Sequence, residues 1–250
     1  MKYVRLLVLL CVVGLVVFKV SESWALEPVQ EEKYELAQTL LEHGNLEDAL
    51  RIFSQLSSEN PSHLGLRLGV INTTIEQSRV LKVSKNPAWQ DKIYQAFGDL
   101  KKIYRANIAS PEMYLSFAKC YLVNNRVGKA EKSLRKAFYY KPDYTEAFIF
   151  QGNMWFEEGS KLKSNVFNDE EDQNDFETFR DKAKKSYLKA LTGSGLNDKT
   201  RAMLHYQLGN TYYDLYGNKN KAKEQWNKAA SLVPESSIFE KLQGRLNTIK

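Results

Sequence analysis

Residues 209–234 read GNTYYDLYGNKNKAKEQWNKAASLVP, with small, aromatic and proline residues at regular intervals. Gly209 opens the stretch, Ala222 lies near its centre, Trp226 follows four residues later, and Pro234 closes it. The stretch has no recognisable catalytic motif. If the same intervals recur elsewhere in the chain, they describe a unit of packing and not a reaction centre.

The intervals do recur along the chain. Three segments of equal length run from an alanine to a proline, at residues 49–61, 130–142 and 222–234. Four residues after its alanine, each segment has a large apolar residue, namely Phe53, Leu134 or Trp226. A fourth copy begins with Ala183 and Tyr187 but continues into TGSG in place of a proline.

Each of these segments is preceded by a matching first half. It contains a small residue, which is Ala37, Ala118, Gly152 or Gly209. Three residues later comes a large residue, which is Leu40, Tyr121, Trp155 or Tyr212. Two such halves with helical spacing predict a pair of helices that pack against each other.

This pattern resembles the tetratricopeptide repeat, a helix–turn–helix unit of about 34 residues with the consensus W-x2-L-G-x2-Y, A-x3-F and P. The resemblance implies that the small residues lie where two antiparallel helices cross and that the proline ends the second helix. It implies an all-α fold, a right-handed α-solenoid of helix–turn–helix repeats. Lys33 and His205 depart from the pattern, because the family prefers large aromatic residues there.

The repeats divide most of the chain. Clear copies cover residues 30–61, 111–142, 145–192 and 202–234. Residues 62–110 lack the signature, but their apolar spacing predicts two helices, which we interpret as a degenerate repeat. A capping box at residues 237–240 predicts a C-terminal capping helix over residues 235–250, since a solenoid needs an end piece over its last repeat. We therefore expect one solenoid of about eleven helices over residues 26–250.

Residues 1–25 resemble an export signal. Lys2 and Arg5 precede an apolar run over residues 6–18, and residues 23–25, Ser-Trp-Ala, supply small residues where a signal peptidase reads. The run is shorter than the roughly 20 residues that a helix needs to span a bilayer. We interpret the segment as a cleaved signal peptide, with an uncleaved N-terminal membrane anchor as the alternative.

The composition excludes several classes of protein. With 43% hydrophobic and 26% charged residues, the chain is typical of a folded protein. The net charge of +6 becomes +4 without residues 1–25, and its spread along the chain does not favour nucleic acid as a partner. Cys120 would then be the only thiol, so no intramolecular disulfide can form. Lipidation of Cys11 is disfavoured, because Leu10 stands where such sites need a small residue.

The repeat register predicts which residues line a binding groove. The first helices of a solenoid form a concave surface that holds an extended peptide or a partner helix. On this surface we expect Tyr34, Gln38, Lys119, Asn153, Phe156, Tyr206, Asn210 and Tyr213. The resemblance implies that Asn153 and Asn210, at equivalent positions, hydrogen-bond the backbone of a bound peptide. The alternative is that the aromatic members pack against neighbouring helices and contact no ligand.

The third repeat contains an insertion over residues 160–182, SKLKSNVFNDEEDQNDFETFRDK. Its acidic run at residues 169–172 is suited to cations or a basic partner. The glycine and the final glutamate of an EF-hand loop are missing. We expect a solvated, partly mobile loop.

Catalytic and metal-binding motifs are not recognisable. His43, His63 and His205 fall in different repeats without metal-ligand spacing, and the register places no histidine near Cys120. A glycine-rich phosphate loop and a G-x-S-x-G elbow are both missing. We therefore predict a protein that is not an enzyme and that has no cofactor and no metal.

These features favour an adaptor or scaffold of the cell envelope that binds a protein or peptide in the groove. We expect it in the periplasm, or attached to the inner membrane by an uncleaved N-terminal segment. The alternative is a periplasmic carrier of a small hydrophobic ligand, or an accessory to a solute-uptake system. A closed apolar pocket near Phe156, Tyr206 and Tyr213 would favour the carrier, whereas an open trough with Asn153 and Asn210 exposed would favour a peptide.

Overall fold

The structure is a computed structural model, and it describes residues 26–106, 108–164, 170–233 and 244–245. The predicted signal segment lies outside the described residues, as does nearly all of the predicted C-terminal cap. Throughout the described ranges, every regular element is a helix. The prediction of an all-α fold is confirmed.

The described residues form ten α-helices. They are α1 (Pro28–Glu42), α2 (Leu46–Glu59), α3 (Leu64–Val83), α4 (Trp89–Arg105), α5 (Pro111–Val123), α6 (Val127–Tyr140), α7 (Thr145–Ser164), α8 (Glu170–Leu191), α9 (Asp198–Asn210) and α10 (Lys219–Leu232). Helix α9 continues directly into one turn of π-helix, Thr211–Leu215, which we call the π segment.

The chain divides into two compact units, Met1–Arg126 and Val127–Lys250. In the first unit, α1 packs on α2, α2 on α3 and α3 on α4, while α5 packs on both α3 and α4. In the second unit, α7 packs on α6 and α8, α9 packs on α8 and α10, and the π segment also contacts α7 and α8. Successive helices therefore pack as hairpins in both units. One continuous solenoid over residues 26–250 stays a prediction.

The turns inside the hairpins share one geometry in the first unit. Gly44, Lys85 and Asn125 each follow a helix with positive φ, at 81°, 58° and 55°. At each turn, that residue donates its N–H to the carbonyl three residues earlier, and the next residue donates to the carbonyl five earlier. This is the Schellman motif, which satisfies the last carbonyls of a helix. The turn after α3 has it too, so α3 and α4 are joined in the same way as the other helix pairs, and the assignment of residues 62–110 as a degenerate repeat stays a prediction.

Small residues lie where the helices cross, as the repeat register predicts. A Cβ atom on Gly209 would lie 2.2 Å from Cδ1 of Trp226, and one on Gly152 would lie 2.5 Å from Cε1 of Tyr187. The alanines at the equivalent positions are fully buried: Ala37, Ala49, Ala118, Ala130, Ala183 and Ala222. The backbones of paired helices therefore approach too closely for a larger side chain.

Residues 62–110 contain a signal that the sequence analysis missed. Leu68-Gly69 has the same form as Leu208-Gly209 at the start of the last repeat. A Cβ atom on Gly69 would lie 2.5 Å from Cδ1 of Phe53, so this glycine also permits a close crossing. The aromatic residue in this contact comes from α2, the helix that precedes α3 in the chain.

The expectation of a mobile loop over residues 160–182 is wrong for most of the insertion. Helix α7 extends to Ser164 and α8 begins at Glu170, so that only residues 165–169 lie outside the described part. The ring of Phe179 stacks on Trp155 with 5.0 Å between centroids. Three residues of the acidic run, Glu170, Glu171 and Asp172, lie in the first turn of α8, where negative side chains interact favourably with the helix dipole.

Replacement of Gly209 by alanine tests the close crossing. The new methyl group meets the indole of Trp226, which is fully buried and has no room to move. We expect the free energy of unfolding, measured by urea denaturation, to fall by about 1–3 kcal/mol. The matched control is Gly128→Ala in α6, where a Cβ atom has nothing within 4 Å. Equal stabilities of the two variants would contradict the assigned crossing.

Candidate functional site

In the first unit, the predicted groove residues are partly engaged in packing. Tyr34 is half-buried and makes edge contacts with Phe53, at 5.8 Å between ring centroids, and with His63, at 6.2 Å. Burial raises the pKa of Tyr34, and a hydrogen bond with Gln38 opposes this shift. Lys119 is half-buried on α5. Tyr34 thus follows the packing alternative, while Gln38 remains exposed.

Cys120 is fully buried beside Lys119. Burial raises the pKa of its thiol well above the ordinary range, and the charge of Lys119 offsets only part of that shift. Because the thiolate is the reactive form, this cysteine is a packing residue and not a nucleophile at neutral pH.

In the second unit, the two asparagines differ in their surroundings. Asn153 accepts a hydrogen bond of 2.7 Å from the hydroxyl of Tyr187, which is fully buried on α8. Asn210 is only 6% exposed, and its Oδ1 atom has no hydrogen-bond partner among the residues that the structure describes. Asn153 therefore connects α7 to α8, whereas the amide oxygen of Asn210 is a buried acceptor without such a contact in the described ranges.

Asn210 lies at the last position of α9, immediately before the π segment. The turn is closed by the N–H of Tyr216, which donates to the carbonyl of Thr211, five residues earlier. Thr211 is fully buried, and its hydroxyl donates to the carbonyl of Gln207. Single π-helical turns are rare in proteins, and those that do occur are often found at functional sites. The amide oxygen without a described partner thus lies immediately before the π-helical turn.

The aromatic groove residues of the last repeat surround Trp226. The ring of Tyr213 lies 5.6 Å from that of Trp226, and the indole N–H donates to the carbonyl of Tyr206 at 3.3 Å. Both tyrosines pack against the buried cluster around Trp226 and remain half-exposed. Phe156 on α7 is likewise half-buried. Part of each ring thus packs against neighbouring residues, and part remains accessible to solvent. In the part of the chain that the structure describes, no observation supports the alternative of an enclosed carrier pocket.

Charged side chains hold the π segment in place. The ammonium group of Lys163 donates to the carbonyl of Asp214. The guanidinium of Arg245 pairs with the carboxylate of Asp214 through two contacts of 3.3 Å and lies 5.8 Å from the centre of the Tyr213 ring. Lys163 belongs to the insertion, which therefore braces the last repeat.

A polar cluster links α8 to the residue that follows the π segment. The hydroxyl of Tyr216 donates to the carboxylate of Asp181, and this bond is the main cause of a lowered pKa of Asp181. Burial, and then the same bond, raise the pKa of Tyr216. The guanidinium of Arg180 lies 4.4 Å from the centre of the Tyr216 ring. Both pKa values move away from neutrality, so the pair is suited to a structural role and not to proton transfer.

The histidines have local hydrogen-bond partners. Nδ1 of His63 accepts from the N–H of Leu66 and caps α3, and the ring of His205 lies 2.8 Å from the side-chain oxygen of Gln225. Among the residues that the structure describes, no three His, Cys, Asp or Glu side chains form a group that could hold a metal ion. None of the helices in the described ranges is both long and apolar enough to cross a membrane. That the protein is not an enzyme stays a prediction.

Replacement of Asn153 by alanine tests its structural role. The change leaves the buried hydroxyl of Tyr187 without a partner, so we expect the free energy of unfolding to fall by about 1–3 kcal/mol. In the Tyr187→Phe background the same change should have a smaller effect, because no hydroxyl remains to be left unpaired. Urea denaturation of the single and double variants measures this coupling. Additive effects would contradict the bond.

Replacement of Tyr216 by phenylalanine should raise the pKa of Asp181, since the hydrogen bond that most lowers it is lost. The lowered pKa contributes stability above the ordinary carboxyl pKa of about 3.9, and this contribution is lost as the pH falls through the folded value. In the variant, the loss of stability caused by protonation of Asp181 at low pH should therefore be smaller. Carbon-13 NMR titration of the carboxyl group measures the pKa, with the exposed Tyr139→Phe as control. An unchanged value would refute the contact.

The chain is similar in sequence to one segment of a much longer curated protein. No model of a known protein family matches the chain. It is 25% identical over 197 residues to the human protein O-mannosyl-transferase TMTC3, a match that covers 78% of this chain and 19% of that protein. The chain thus spans about a fifth of the length of this relative.

Two solved structures resemble the fold. The first is TTC0263, a tetratricopeptide-repeat protein of Thermus thermophilus, with a TM-score of 0.61, 18% identity, and coverage of 88% of this chain and 98% of that chain. The second is a monomeric mutant of IFIT1 with Gppp-AAAA, with a TM-score of 0.52, 18% identity, and coverage of 86% and 52%. At these identities the likeness concerns the fold alone. The chain therefore has the tetratricopeptide-repeat fold, and the resemblance seen in its sequence is confirmed.

Proposed function

We propose that this chain is a non-enzymatic adaptor of the cell envelope that binds a segment of another protein on the first helices of its repeats. The fold supports a role in binding other proteins, because stacked helical hairpins present extended surfaces to other molecules. In the second unit the π segment packs on α7, which carries Asn153 and Phe156, and on α9, which ends at Asn210.

The observation that carries the proposal is the unsatisfied amide oxygen of Asn210. A buried acceptor without a partner costs about 1–3 kcal/mol relative to one that is hydrogen-bonded. A partner segment that displaces the side chains covering this oxygen and donates an N–H to it removes that cost, so that binding gains free energy that the free protein lacks. Peptide backbone is the simplest donor, since every residue except proline carries one.

Neighbouring aromatic residues provide apolar contacts for such a segment. Phe156, Tyr206 and Tyr213 are each half-exposed, and the last two are anchored on the cluster of Trp226. Aromatic side chains that are rigid and partly exposed are favourable contacts in binding surfaces, because little rotamer freedom is lost on binding. Tyr34, Gln38 and Lys119 of the first unit stay predicted members of the surface.

The cell envelope is proposed on the pattern of residues 1–25 alone. A basic start, a short apolar run and small residues near position 25 are typical of a segment that directs export. On this proposal the protein acts in the periplasm or remains attached to the inner membrane. TMTC3 is named as a protein O-mannosyl-transferase, but this chain spans only 19% of that protein. We therefore propose no transferase activity for this chain. The exclusion of nucleic acid also stays a prediction.

The test is to replace Asn210 by alanine and to recover partners from envelope extracts. We expect recovery of the specific partner to fall by about two- to tenfold, the effect of one net hydrogen bond. The melting temperature should change little, because within the described ranges the oxygen has no hydrogen bond to lose. The control is Asn227→Ala, an exposed asparagine on α10. If every protein is recovered equally well by both variants, Asn210 is not part of the binding site.

A further inference from the structure

Positive charge is concentrated on two helical segments of the second unit. Helix α6 has four basic residues and one acidic residue, and residues 180–191 of α8 have five basic residues and one acidic residue. This excess is larger than the net charge of +6 of the whole chain, so the rest of the chain is close to neutral. The even spread of charge assumed from the sequence is therefore wrong for this unit.

The two segments meet at a recess in the surface. The ammonium group of Lys182 lies 3.3 Å from the carboxylate of Glu131, which joins α8 to α6. Next to this ion pair is a cavity of about 190 Å³. We call this recess the basic groove, and its lining consists of three lysines, Glu131 of α6 and three other residues: Lys182, Lys185, Lys189, Glu131, Gln151, Ser186 and Trp155.

Aromatic rings hold two of the groove lysines in position. The ammonium group of Lys182 lies 4.1 Å from the centre of the Trp155 ring, and that of Lys189 lies 5.3 Å from the centre of the Phe148 ring. Such cation–π contacts orient an ammonium group without neutralising its charge. Lys185, between them, is exposed. Because Glu131 already pairs with Lys182, the groove presents the positive charges of the exposed Lys185 and Lys189.

The spacing of these lysines fits a helix as the occupant. Lys182, Lys185 and Lys189 lie three and four residues apart on one face of α8, so that they extend over about 10 Å. Acidic side chains four residues apart on a second helix can meet Lys185 and Lys189, whereas Lys182 is already paired with Glu131. Leu188, on the same helix, is 46% exposed and offers an apolar contact beside the charges.

The geometry disfavours the other anionic occupants. Single-stranded nucleic acid is held by stacking its bases on exposed aromatic rings. Trp155, the aromatic residue of the groove, is only 3% exposed and is already covered by Phe179 and Lys182. A membrane surface is flat, whereas the lysines line a recess. A protein segment with carboxylates is the occupant that enters such a recess.

We propose that the basic groove is a docking site for an acidic amphipathic helix of a partner protein. The site is separate from the surface around Asn210, because its lysines belong to α8 and not to a first helix. It goes beyond the adaptor function proposed above and rests on different residues. Since its charges are partly exposed, binding should weaken as the salt concentration rises.

The test measures fluorescence anisotropy of a labelled synthetic peptide with the full chain. The peptide is a helix with glutamate and leucine at spacings of three and four, and a second peptide has glutamine in place of glutamate. We expect the glutamate peptide to bind about tenfold more tightly than the glutamine peptide. Lys185→Glu with Lys189→Glu should abolish this preference. Equal binding of both peptides to the original chain would overturn the proposal.

The matched control has the same change of net charge elsewhere. Lys199→Glu with Lys223→Glu alters two exposed lysines on α9 and α10, and we expect it to keep the preference for the glutamate peptide. An equal loss in both double variants would show a general charge effect and would overturn the site. Circular dichroism verifies the fold, and Lys185→Glu alone, at an exposed position, should weaken binding in the same direction.

Two further measurements separate the possible partners. A single-stranded oligonucleotide or phosphatidylglycerol vesicles that bind more tightly than the peptide, and that depend more on Lys185 and Lys189, would overturn the assignment to an acidic helix. The Asn210→Ala variant should bind the glutamate peptide as the original chain does. A failure of the basic groove is therefore distinguishable from a failure of the surface around Asn210.

Discussion

The fold depends on the close approach of paired helices at residues without a large side chain. At Gly69, Gly152 and Gly209 the neighbouring helix places an aromatic ring where a Cβ atom would stand. Each ring fills the space that the missing side chain leaves. Because these three rings are buried against a neighbouring helix, a short helix pair gains a core that it would lack alone.

The polar contacts of the second unit are built on these crossings. The bond from Tyr187 to Asn153 forms because Gly152 lets that ring lie against α7. The insertion lengthens α7 and α8, and the side chains it adds hold the π segment next to Asn210. The same helices carry two candidate surfaces, one around Asn210 and one at the basic groove. An adaptor with separate surfaces is able to hold two partners at once.

Much of the fold was predictable, and the misses have physical reasons. Repeats are visible because each repeat needs a small residue and an aromatic residue at fixed spacing, as with Gly209 and Trp226. The pair Leu68-Gly69 was missed because it lacked the alanine and proline signals that marked the other copies. The insertion was predicted to be a loop because of its acidic residues. The apolar spacing of Phe176 and Phe179, which continues the buried face of α8, was not recognised as a helical signal.

Sequence periodicity predicted most of the helices, their order and the small residues of the clear repeats, because local spacing dictates which side chains share a helix face. It could not distinguish Asn153 from Asn210, which have the same register. Whether an amide finds a hydrogen-bond partner depends on a side chain from another helix, and Tyr187 reaches only the first of them. The basic groove likewise exists only because folding brings Glu131 of α6 and the lysines of α8, separate in the sequence, to one recess.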